Sequence, residues 1–312
     1  MGLKSIEICA GAGGQALGLE EAGFDHLALV EIEPPACDTL RANRPEWNVV
    51  QGDVHEFSAS DYKGRVDLLA GGVPCPPFSI AGKQLGKDDE RDLFPEALRL
   101  AEECEPRAIM IENVRGIFYP KFDGYREQIV GRLHDMGYVT WWQLVHSSDY
   151  GVAQLRPRAI LVAIKEPWAS RFKWPEARPD EAPTVGELLR DEMASNGWPG
   201  AEEWSLAADK IAPTLVGGSK KHGGADLGPT RAKKAWAELG VDGRGIVDEA
   251  PAADFDGMPR LTVKMAALVQ GFPANWEFSG RKTAAYRQVG NAFPPPVARA
   301  VGSAIKEALN DR

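Results

Sequence analysis

Three short motifs carry the residues of this sequence that are most able to do chemistry. Cys75 stands between prolines in residues 71–79, Glu112 opens a Glu-Asn-Val motif, and Arg156 and Arg158 lie in Gln-Leu-Arg-Pro-Arg. A thiolate can add to an electron-poor ring carbon, a carboxylic acid can give a proton to a ring nitrogen, and a guanidinium can hold a carbonyl oxygen or a phosphate. Together these groups suit covalent chemistry on a pyrimidine base.

The neighbours of Cys75 help to decide between a reactive cysteine and a core cysteine. A lone cysteine in an apolar region is most often a small core residue. Glycines and prolines surround this one, however, and prolines disfavour the interior of a helix or strand. We therefore expect Cys75 at the end of a strand, in a loop on the carboxyl edge of a sheet, where α/β enzymes keep their catalytic residues.

Strands and helices alternate along the first half of the chain. Short apolar runs predict seven strands, with helical patterns between most of them. Because parallel strands need crossover helices, this alternation predicts an α/β fold with a mostly parallel seven-stranded sheet that is covered on both faces. The predicted strands are residues 5–9, 27–30, 49–50, 66–70, 108–111, 139–145 and 159–164.

The alternation ends after Ile164. Residues 166–258 hold many prolines, glycines and tryptophans and few periodic runs, which predicts a separate, irregular, substrate-facing domain. A helical pattern over 261–269 and another over 295–309 predict a return to the first domain. The predicted division is therefore 1–165, 166–258 and 259–312.

The composition is typical of an ordinary globular protein. The 312 residues are 44% hydrophobic and 26% charged, no apolar run is long enough to span a bilayer, and Met1 leads into a strand rather than a signal peptide. We therefore expect a cytoplasmic protein. The four cysteines, at positions 9, 37, 75 and 104, form no C-x-x-C pair, so they predict neither a metal site nor a disulfide framework.

The charge of the chain is unevenly distributed. Its formal net charge of -9 argues against a polyanionic partner, because nucleic-acid binding draws on lysine and arginine. Residues 210–234 nevertheless hold six basic residues and one acidic residue in a glycine-rich stretch. Such a run is most often a solvated face. In an otherwise acidic chain it also fits a nucleic-acid contact surface, and both interpretations stay open at this point.

A glycine turn follows the first predicted strand, and acidic residues end the next two. Gly11, Gly13 and Gly14 allow a ligand to approach the backbone donors at the start of a helix. Glu31 can accept hydrogen bonds from both hydroxyls of a ribose, and Asp53 can accept one from an adenine amine. The turn alone is equally consistent with a structural role. The three strand ends together favour an adenosine site.

The ordered motifs resemble those of the cytosine-5 DNA methyltransferases over nearly the whole chain outside the middle segment. The resemblance implies a Rossmann-like methyltransferase fold with a small, irregular target-recognition domain. Residues 9–14 resemble the first family motif with Cys9 where phenylalanine is usual, and Pro76 stands where the family usually has glutamine. The later matches, in the family's order, are Pro74-Cys75, Glu112-Asn113-Val114, residues 154–158 and residues 288–292.

The resemblance also assigns a cofactor and particular residues. It implies S-adenosylmethionine as the methyl donor, with S-adenosylhomocysteine as the product. The implied catalytic residues are Cys75, Glu112, Arg156 and Arg158. The implied cofactor-binding residues are Cys9, Ala10, Gly11, Gly13, Gly14, Glu31, Asp53, Pro74 and Asn291.

The implied reaction is covalent. Cys75 adds to carbon 6 of cytosine while Glu112, bound at ring nitrogen 3, neutralises the developing charge, and carbon 5 then attacks the sulfonium methyl group. Arg158 holds the cytosine carbonyl, whereas Arg156 favours the Cys75 thiolate and holds the catalytic loop. Since Glu112 must carry or share a proton in this scheme, we expect burial to raise its pKa.

The resemblance further implies that the cytosine is flipped out of the duplex, because its carbon 5 is inaccessible in stacked DNA. Residues 79–91 are then expected to form a mobile lid over the flipped base, and residues 217–224 a loop that approaches the major groove. The expected DNA contacts are Ser79, Lys83, Arg91, Gln154, Thr214, Lys220, Lys221, Arg231 and Lys233.

The leading hypothesis is a bacterial or phage-encoded DNA (cytosine-5-)-methyltransferase. It would act on double-stranded DNA as a monomer, alone or beside a separate restriction endonuclease. The alternatives are an RNA cytosine methyltransferase with the same motifs, a catalytically silent DNA-binding subunit, and an enzyme with an altered cofactor. The long middle segment and Thr214-Leu215 favour DNA, and the intact Cys75 and Glu112 disfavour a silent subunit.

Overall fold

The computed structural model describes residues 2–74, 92–217 and 224–310. The chain divides into two compact units, of which the first comprises Met1–Val145, Pro157–Glu176 and Ala298–Arg312. The second comprises His146–Arg156 and Ala177–Val297. This division differs from the sequence-based one because residues 166–176 belong to the first unit and residues 146–156 and 259–297 to the second. Hydrogen bonds between distant segments, described below, hold them there.

The first unit is built on one seven-stranded sheet, which confirms the predicted α/β fold class. The strand order is β3-β2-β1-β4-β5-β7-β6. β1 pairs in parallel with β2 and β4, β2 with β3, and β4 with β5, whereas β7 is antiparallel to β5. The strands are β1 Leu3–Ile8, β2 Phe24–Glu31, β3 Val49–Gln51, β4 Leu68–Gly72, β5 Ala108–Val114, β6 Tyr138–His146 and β7 Pro157–Lys165.

The inner strands are covered on both faces. Their apolar side chains are buried in consecutive positions, as in Leu68-Leu69-Ala70 of β4 and Ile109-Met110-Ile111 of β5, which is the pattern of a parallel sheet between helical layers. The helices of this unit are α1 Gly14–Ala22, α2 Pro34–Asn43, α3 Phe94–Cys104, α4 Asp123–Asp135 and, from Ala298 onward, α10 Pro295–Leu309. Because β1, β2, β4 and β5 are parallel, their carboxyl ends share one edge of the sheet, and Glu31 and Glu112 lie at that edge.

The second unit is more helical than the sequence indicates. The segment predicted to be irregular contains α5 Val185–Ala194, α6 Ala201–Ala207 and α7 Thr230–Ala237. Two further helices, α8 Val263–Val269 and α9 Lys282–Asn291, follow in the same unit. α5 packs against α6 and α8, and α8 packs against α9. Among the described residues, no helix combines the length and the apolar character needed to cross a membrane.

Candidate active site

The turn after β1 leaves room for a ligand beside exposed backbone. Cys9 and Gly11 both have positive φ values, of 53° and 55°, and Gly13 lies in the left-handed region directly before α1. A Cβ placed on Gly11 would meet no atom of the described residues within 4 Å. This arrangement, with open space in front of the amino end of a helix, is typical of sites that bind nucleotides.

Glu31 ties the end of β2 to this turn. The side chain is buried, its Oε2 accepts a hydrogen bond from the Gly11 N–H at 2.7 Å, and its Oε1 accepts one from the Glu33 N–H at 2.8 Å. Burial raises the pKa of the Glu31 carboxyl, while the backbone hydrogen bonds act in the opposite direction. The structure thus brings together two of the predicted cofactor-binding residues, Gly11 and Glu31.

Two buried polar side chains beside the turn were missed by the sequence reasoning. Glu7 of β1 and Gln15 of α1 are both buried, and Glu7 Oε2 and both amide atoms of Gln15 have no hydrogen-bond partner among the described residues. Burial raises the pKa of Glu7 well above its ordinary value, and the Glu31 charge adds to this. An acidic residue between two isoleucines, Ile6 and Ile8, was the available signal, because such a group is costly to bury without a partner.

Three carboxyl groups lie close enough to Cys9 to affect the pKa of its thiol. Burial raises the pKa of the Cys9 thiol, and the charges of Glu31, Glu7 and Asp53 raise it further. Asp53 follows β3, and its Oδ1 accepts from the His55 N–H at 3.0 Å and lies 2.7 Å from His55 Nδ1. Those bonds lower the pKa of Asp53. Burial thus favours the neutral form of Glu7 and Glu31, whereas hydrogen bonds favour the charged form of Asp53.

Glu112 and Arg158 form a nearly buried ion pair at the ends of β5 and β7. The Glu112 Oε1 and Arg158 Nε atoms are 2.6 Å apart, and the two side chains are only 10% and 11% exposed. Glu112 pairs in register with Ile160, two positions from Arg158, so both side chains lie on one face. Arg158 favours the ionised carboxylate whereas burial disfavours it, so a raised pKa for Glu112 stays a prediction.

The strand that leads to Cys75 lies beside this ion pair. β4 ends at Gly72, which pairs in register with Glu112, and a Cβ on Gly72 would lie 3.2 Å from Glu112 Oε2. Pro74 follows two residues later and is half-buried. Six predicted site residues lie outside the described part of the chain, namely Cys75, Ser79, Lys83, Arg91, Lys220 and Lys221.

Arg156 connects distant segments of the chain inside the second unit. Its guanidinium is 1% exposed and donates to the carbonyl oxygens of Leu215 at 2.8 Å, Gly290 at 2.8 Å and Ala292 at 3.0 Å. These contacts give Arg156 a structural role within the second unit, and its predicted role in holding the catalytic loop stays a prediction. Its predicted effect on the Cys75 thiolate stays a prediction.

Gln154 occupies a structural position rather than a DNA-facing one. It is fully buried, its Oε1 accepts from the Leu215 N–H at 2.8 Å, and its Nε2 donates to Gln270 Oε1 at 2.7 Å. Gln270 in turn donates to the Ala292 carbonyl. Because a side chain without exposed surface has no edge to offer a base or phosphate, we correct the expected DNA contact to an internal one. Thr214, also predicted to contact DNA, donates its hydroxyl to the Leu155 carbonyl at 2.5 Å.

The remaining DNA candidates differ in their freedom to bind. Lys233 of α7 forms an ion pair with Asp226 at 2.8 Å, so its ammonium is already engaged. Arg231, on the same helix, is exposed. Asn291 ends α9 in the second unit and is exposed, whereas the other predicted cofactor residues lie in the first unit. A role for Asn291 in cofactor binding therefore stays a prediction.

Two glycines meet where the segment 214–217 crosses α9. A Cβ on Gly217 would lie 2.5 Å from Asn291 Oδ1 and 2.6 Å from the Arg287 carbonyl oxygen. A Cβ on Gly290 would overlap the backbone of Gly217. Only hydrogen fits at either position, so the backbones approach more closely than any side chain allows.

Replacing Arg156 by methionine is expected to lower the free energy of unfolding by about 2–5 kcal/mol, because three buried carbonyls each lose a donor, although Gln270 still donates to that of Ala292. Urea unfolding measures the change. Arg178→Met is the matched control, since Arg178 makes an exposed ion pair with Glu181 in the same unit and should change stability by less than about 0.5 kcal/mol. Equal free energies of unfolding for the two variants would contradict the stabilising role of Arg156.

The strand order with an antiparallel β7, the glycine turn and the acid at the end of β2 together define a methyltransferase of the Rossmann-like class. Residues 3–307 match the model of the C-5 cytosine-specific DNA methylases, and the chain belongs to that family. It is a DNA (cytosine-5-)-methyltransferase. Among the described residues, no cluster of His, Cys, Asp and Glu could hold a metal ion.

Similar proteins span the whole chain. It is 59% identical to the type II methyltransferase M.NaeI of Lentzea aerocolonigenes, over 99% of this chain and 76% of that protein. It is 58% identical to the type II methyltransferase M.NgoMIV of Neisseria gonorrhoeae, over 99% of each. A crystal structure of a protein encoded within an Escherichia coli prophage has the same fold, with a TM-score of 0.70 and 24% identity over 99% of this chain and 100% of that one.

Proposed function

We propose that this chain is a type II modification methyltransferase that transfers the methyl group of S-adenosylmethionine to carbon 5 of a flipped cytosine in a specific duplex sequence. The observation that carries the proposal is the nearly buried pair of Glu112 and Arg158 beside the end of β4, the strand that leads to Cys75. In the proposed reaction the Cys75 thiolate adds to carbon 6 of the base, and it leaves again when the proton on carbon 5 is removed.

The residues around the glycine turn fit the proposed cofactor. The unpartnered atoms of Glu7 and Gln15 are buried polar groups in need of a ligand, and the space above Gly11 is open. The carboxyl groups of Glu7, Glu31 and Asp53 around Cys9 can form hydrogen bonds with a bound ligand, and S-adenosylmethionine supplies an electrophilic methyl group on a sulfonium centre. Glu31 would bind the ribose hydroxyls, Asp53 the adenine amine, and the exposed apolar side chain of Ile32 the face of the adenine ring.

We propose that Glu112 and Arg158 bind different atoms of the cytosine ring. Glu112 would bind at ring nitrogen 3 and share a proton with it, which makes carbon 6 more electrophilic. Arg158 would donate to the ring carbonyl oxygen, because the contact of its Nε with the Glu112 carboxylate at 2.6 Å fixes the guanidinium beside the acid. A base bound beside this pair would meet a donor and an acceptor in fixed positions.

The second unit is proposed to be the target-recognition domain. It contains Thr214-Leu215, the basic helix α7 and the residues on both sides of positions 218–223. The Leu215 N–H donates to Gln154 and the Leu215 carbonyl accepts from Arg156, and these bonds fix the chain that enters those positions. The relatives named type II methyltransferases support a restriction partner that acts as a separate protein, and we propose a monomeric enzyme that acts in the cytoplasm.

Bisulfite sequencing of DNA from cells that express the chain tests the proposed function. Protected cytosines at one recurrent sequence are the expected result. Unprotected DNA together with transfer of a labelled methyl group to transfer RNA would favour an RNA substrate and contradict the proposal. Mass spectrometry of the modified base distinguishes a methyl group from any other transferred group.

Replacing Glu7 by glutamine is expected to raise the free energy of unfolding at pH 7 by about 1–3 kcal/mol and to weaken cofactor binding. The folded-state pKa of Glu7 lies above its unfolded value, so the penalty of its charge is present above the folded-state pKa and disappears as the pH falls to about 4. Urea unfolding at several pH values should therefore show the two proteins converging in acid.

The exposed Glu105 provides the matched control for Glu7. Its ion pair with Lys63 lowers its pKa, so Glu105→Gln should give no gain in stability and no change in cofactor affinity. A Glu7→Gln variant that is no more stable than the original at pH 7 and binds S-adenosylmethionine equally well would contradict both the charge penalty and the role of Glu7.

A further inference from the structure

One carboxylate of the second unit holds two arginines. Asp242 Oδ1 lies 2.9 Å from Arg244 Nε, Asp242 Oδ2 lies 3.1 Å from Arg244 Nη2, and the same Oδ2 lies 2.8 Å from Arg260 Nε. The Asp242 side chain is 11% exposed, whereas that of Arg244 is 77% exposed. A nearly buried anion therefore fixes the orientation of a guanidinium that extends into solvent.

The turn that carries this cluster lies against the basic part of the unit. The Leu227 N–H donates to the Gly243 carbonyl at 3.0 Å, and the Ile246 N–H donates to the Ala225 carbonyl at 2.8 Å. A Cβ on Gly243 would lie 3.2 Å from the Cα of Lys233, so the turn packs directly on α7. Arg244 is thus held beside the segment that follows residues 218–223.

The geometry leaves one edge of Arg244 open. The carboxylate uses its Nε and Nη2 atoms, and Nη1 has no hydrogen bond within the described ranges of the chain. A guanidinium has two edges that can each donate a pair of parallel hydrogen bonds, and Nη2 carries a proton for each edge. The edge formed by Nη1 and Nη2 is therefore available to a ligand with two adjacent acceptors.

Guanine is the base whose major-groove edge matches such a donor pair. Its O6 and N7 atoms are two adjacent acceptors, and arginine is their commonest partner. A phosphate contact needs only a cation, and a nearby carboxylate weakens it, so the orienting Asp242 favours a directional base contact. Fixing the side chain in advance also reduces the conformational entropy lost on binding.

We infer that Arg244, oriented by Asp242, reads the O6 and N7 edge of a guanine in the major groove of the target sequence. Asp242 is a positioning residue, and Arg260 holds the second oxygen of the same carboxylate. The inference rests on the proposed role of the second unit in target recognition. It assigns base reading to a residue outside the basic run 210–234.

The test measures kcat/KM on a set of duplexes in which each base pair of the methylated site is changed in turn. Arg244→Lys keeps the charge but loses the paired donors, and it is expected to reduce discrimination at one G·C pair by roughly 5- to 150-fold with the other positions unaffected. Asp242→Asn should relax the same position. Arg190→Lys is the matched control, since Arg190 pairs with a solvated aspartate, Asp191, in the same unit.

Each outcome bears on the inference. A uniform loss at all positions, together with a smaller dependence of binding on salt, would mean that Arg244 contacts a phosphate and would overturn it. Unchanged discrimination in Arg244→Lys would overturn it as well. Circular dichroism and urea unfolding identify a variant that fails to fold, and the exposed Arg244 keeps the test decisive if Asp242→Asn does so. Failure of the proposed function differs from all of these, because the unaltered protein would then methylate no duplex.

Discussion

Replacing Cys75 by serine is expected to reduce kcat for methyl transfer to duplex DNA by at least about 10⁴-fold and to leave duplex binding nearly unchanged. A thiol is partly ionised at neutral pH and strongly nucleophilic, whereas a serine hydroxyl is neither unless a base activates it. Cys75 follows three positions after Gly72 in the sequence, and Gly72 pairs in register with Glu112. Transfer of a labelled methyl group measures the rate, and a filter-binding or gel-shift assay measures the affinity for the duplex.

A duplex with 5-fluorocytosine at the target supplies the covalent readout for this prediction. Fluorine cannot leave carbon 5 as a proton does, so the original protein should remain attached through Cys75 and the serine variant should not. Cys104, a buried thiol of α3, is the control, because Cys104→Ser should still form the adduct. Normal turnover by Cys75→Ser would refute the covalent route.

Replacing Glu112 by glutamine is expected to lower kcat by about 10²- to 10⁴-fold, the range in which a positioned acid contributes to proton transfer. Glutamine keeps the length of the side chain and an oxygen that Arg158 Nε can bind, but it has no proton to share with ring nitrogen 3. Single-turnover methyl transfer measures the effect. Because the amide still accepts from Arg158, the KM for DNA should change much less than kcat.

The exposed Glu105 again provides the comparison, since Glu105→Gln removes a carboxylate from the same unit and should leave kcat unaltered. Unfolding in urea separates a catalytic loss from a structural one, because removing one member of a nearly buried pair also destabilises a protein. A Glu112→Gln enzyme with full kcat would show that another group carries the proton. A loss confined to stability would reduce Glu112 to a structural partner of Arg158.

The strand ends were predictable because their signal is local. β4 and β5 are short apolar runs that end at glycine or at an acid, and the glycine turn after β1 is visible in adjacent residues. Helix α5 was missed although its signal is equally local. Thr184 and Glu187 form a capping box at its start, with the Thr184 side chain and the Glu187 side chain each bound to the other's backbone. A Thr-x-x-Glu spacing before an apolar run predicts such a start.

The roles of Gln154 and Arg156 were not predictable from spacing alone. Their partners lie far along the chain, as with Arg156 and Gly290, which are 134 positions apart. A polar side chain in a motif can face a ligand or hold the framework, and only its burial decides between them. Glu112 and Arg158 lie on neighbouring strands, and the register of an antiparallel pair determines their contact. The family resemblance identifies the two residues as candidates. The distance between them is known only from the structure.

The contact between Gly217 and Gly290 has a consequence for how this enzyme can diversify. A mutation at either glycine would place a carbon atom inside a neighbouring backbone. Neither position therefore tolerates substitution. Substitutions inherited in this part of the second unit are therefore expected at positions other than 217 and 290.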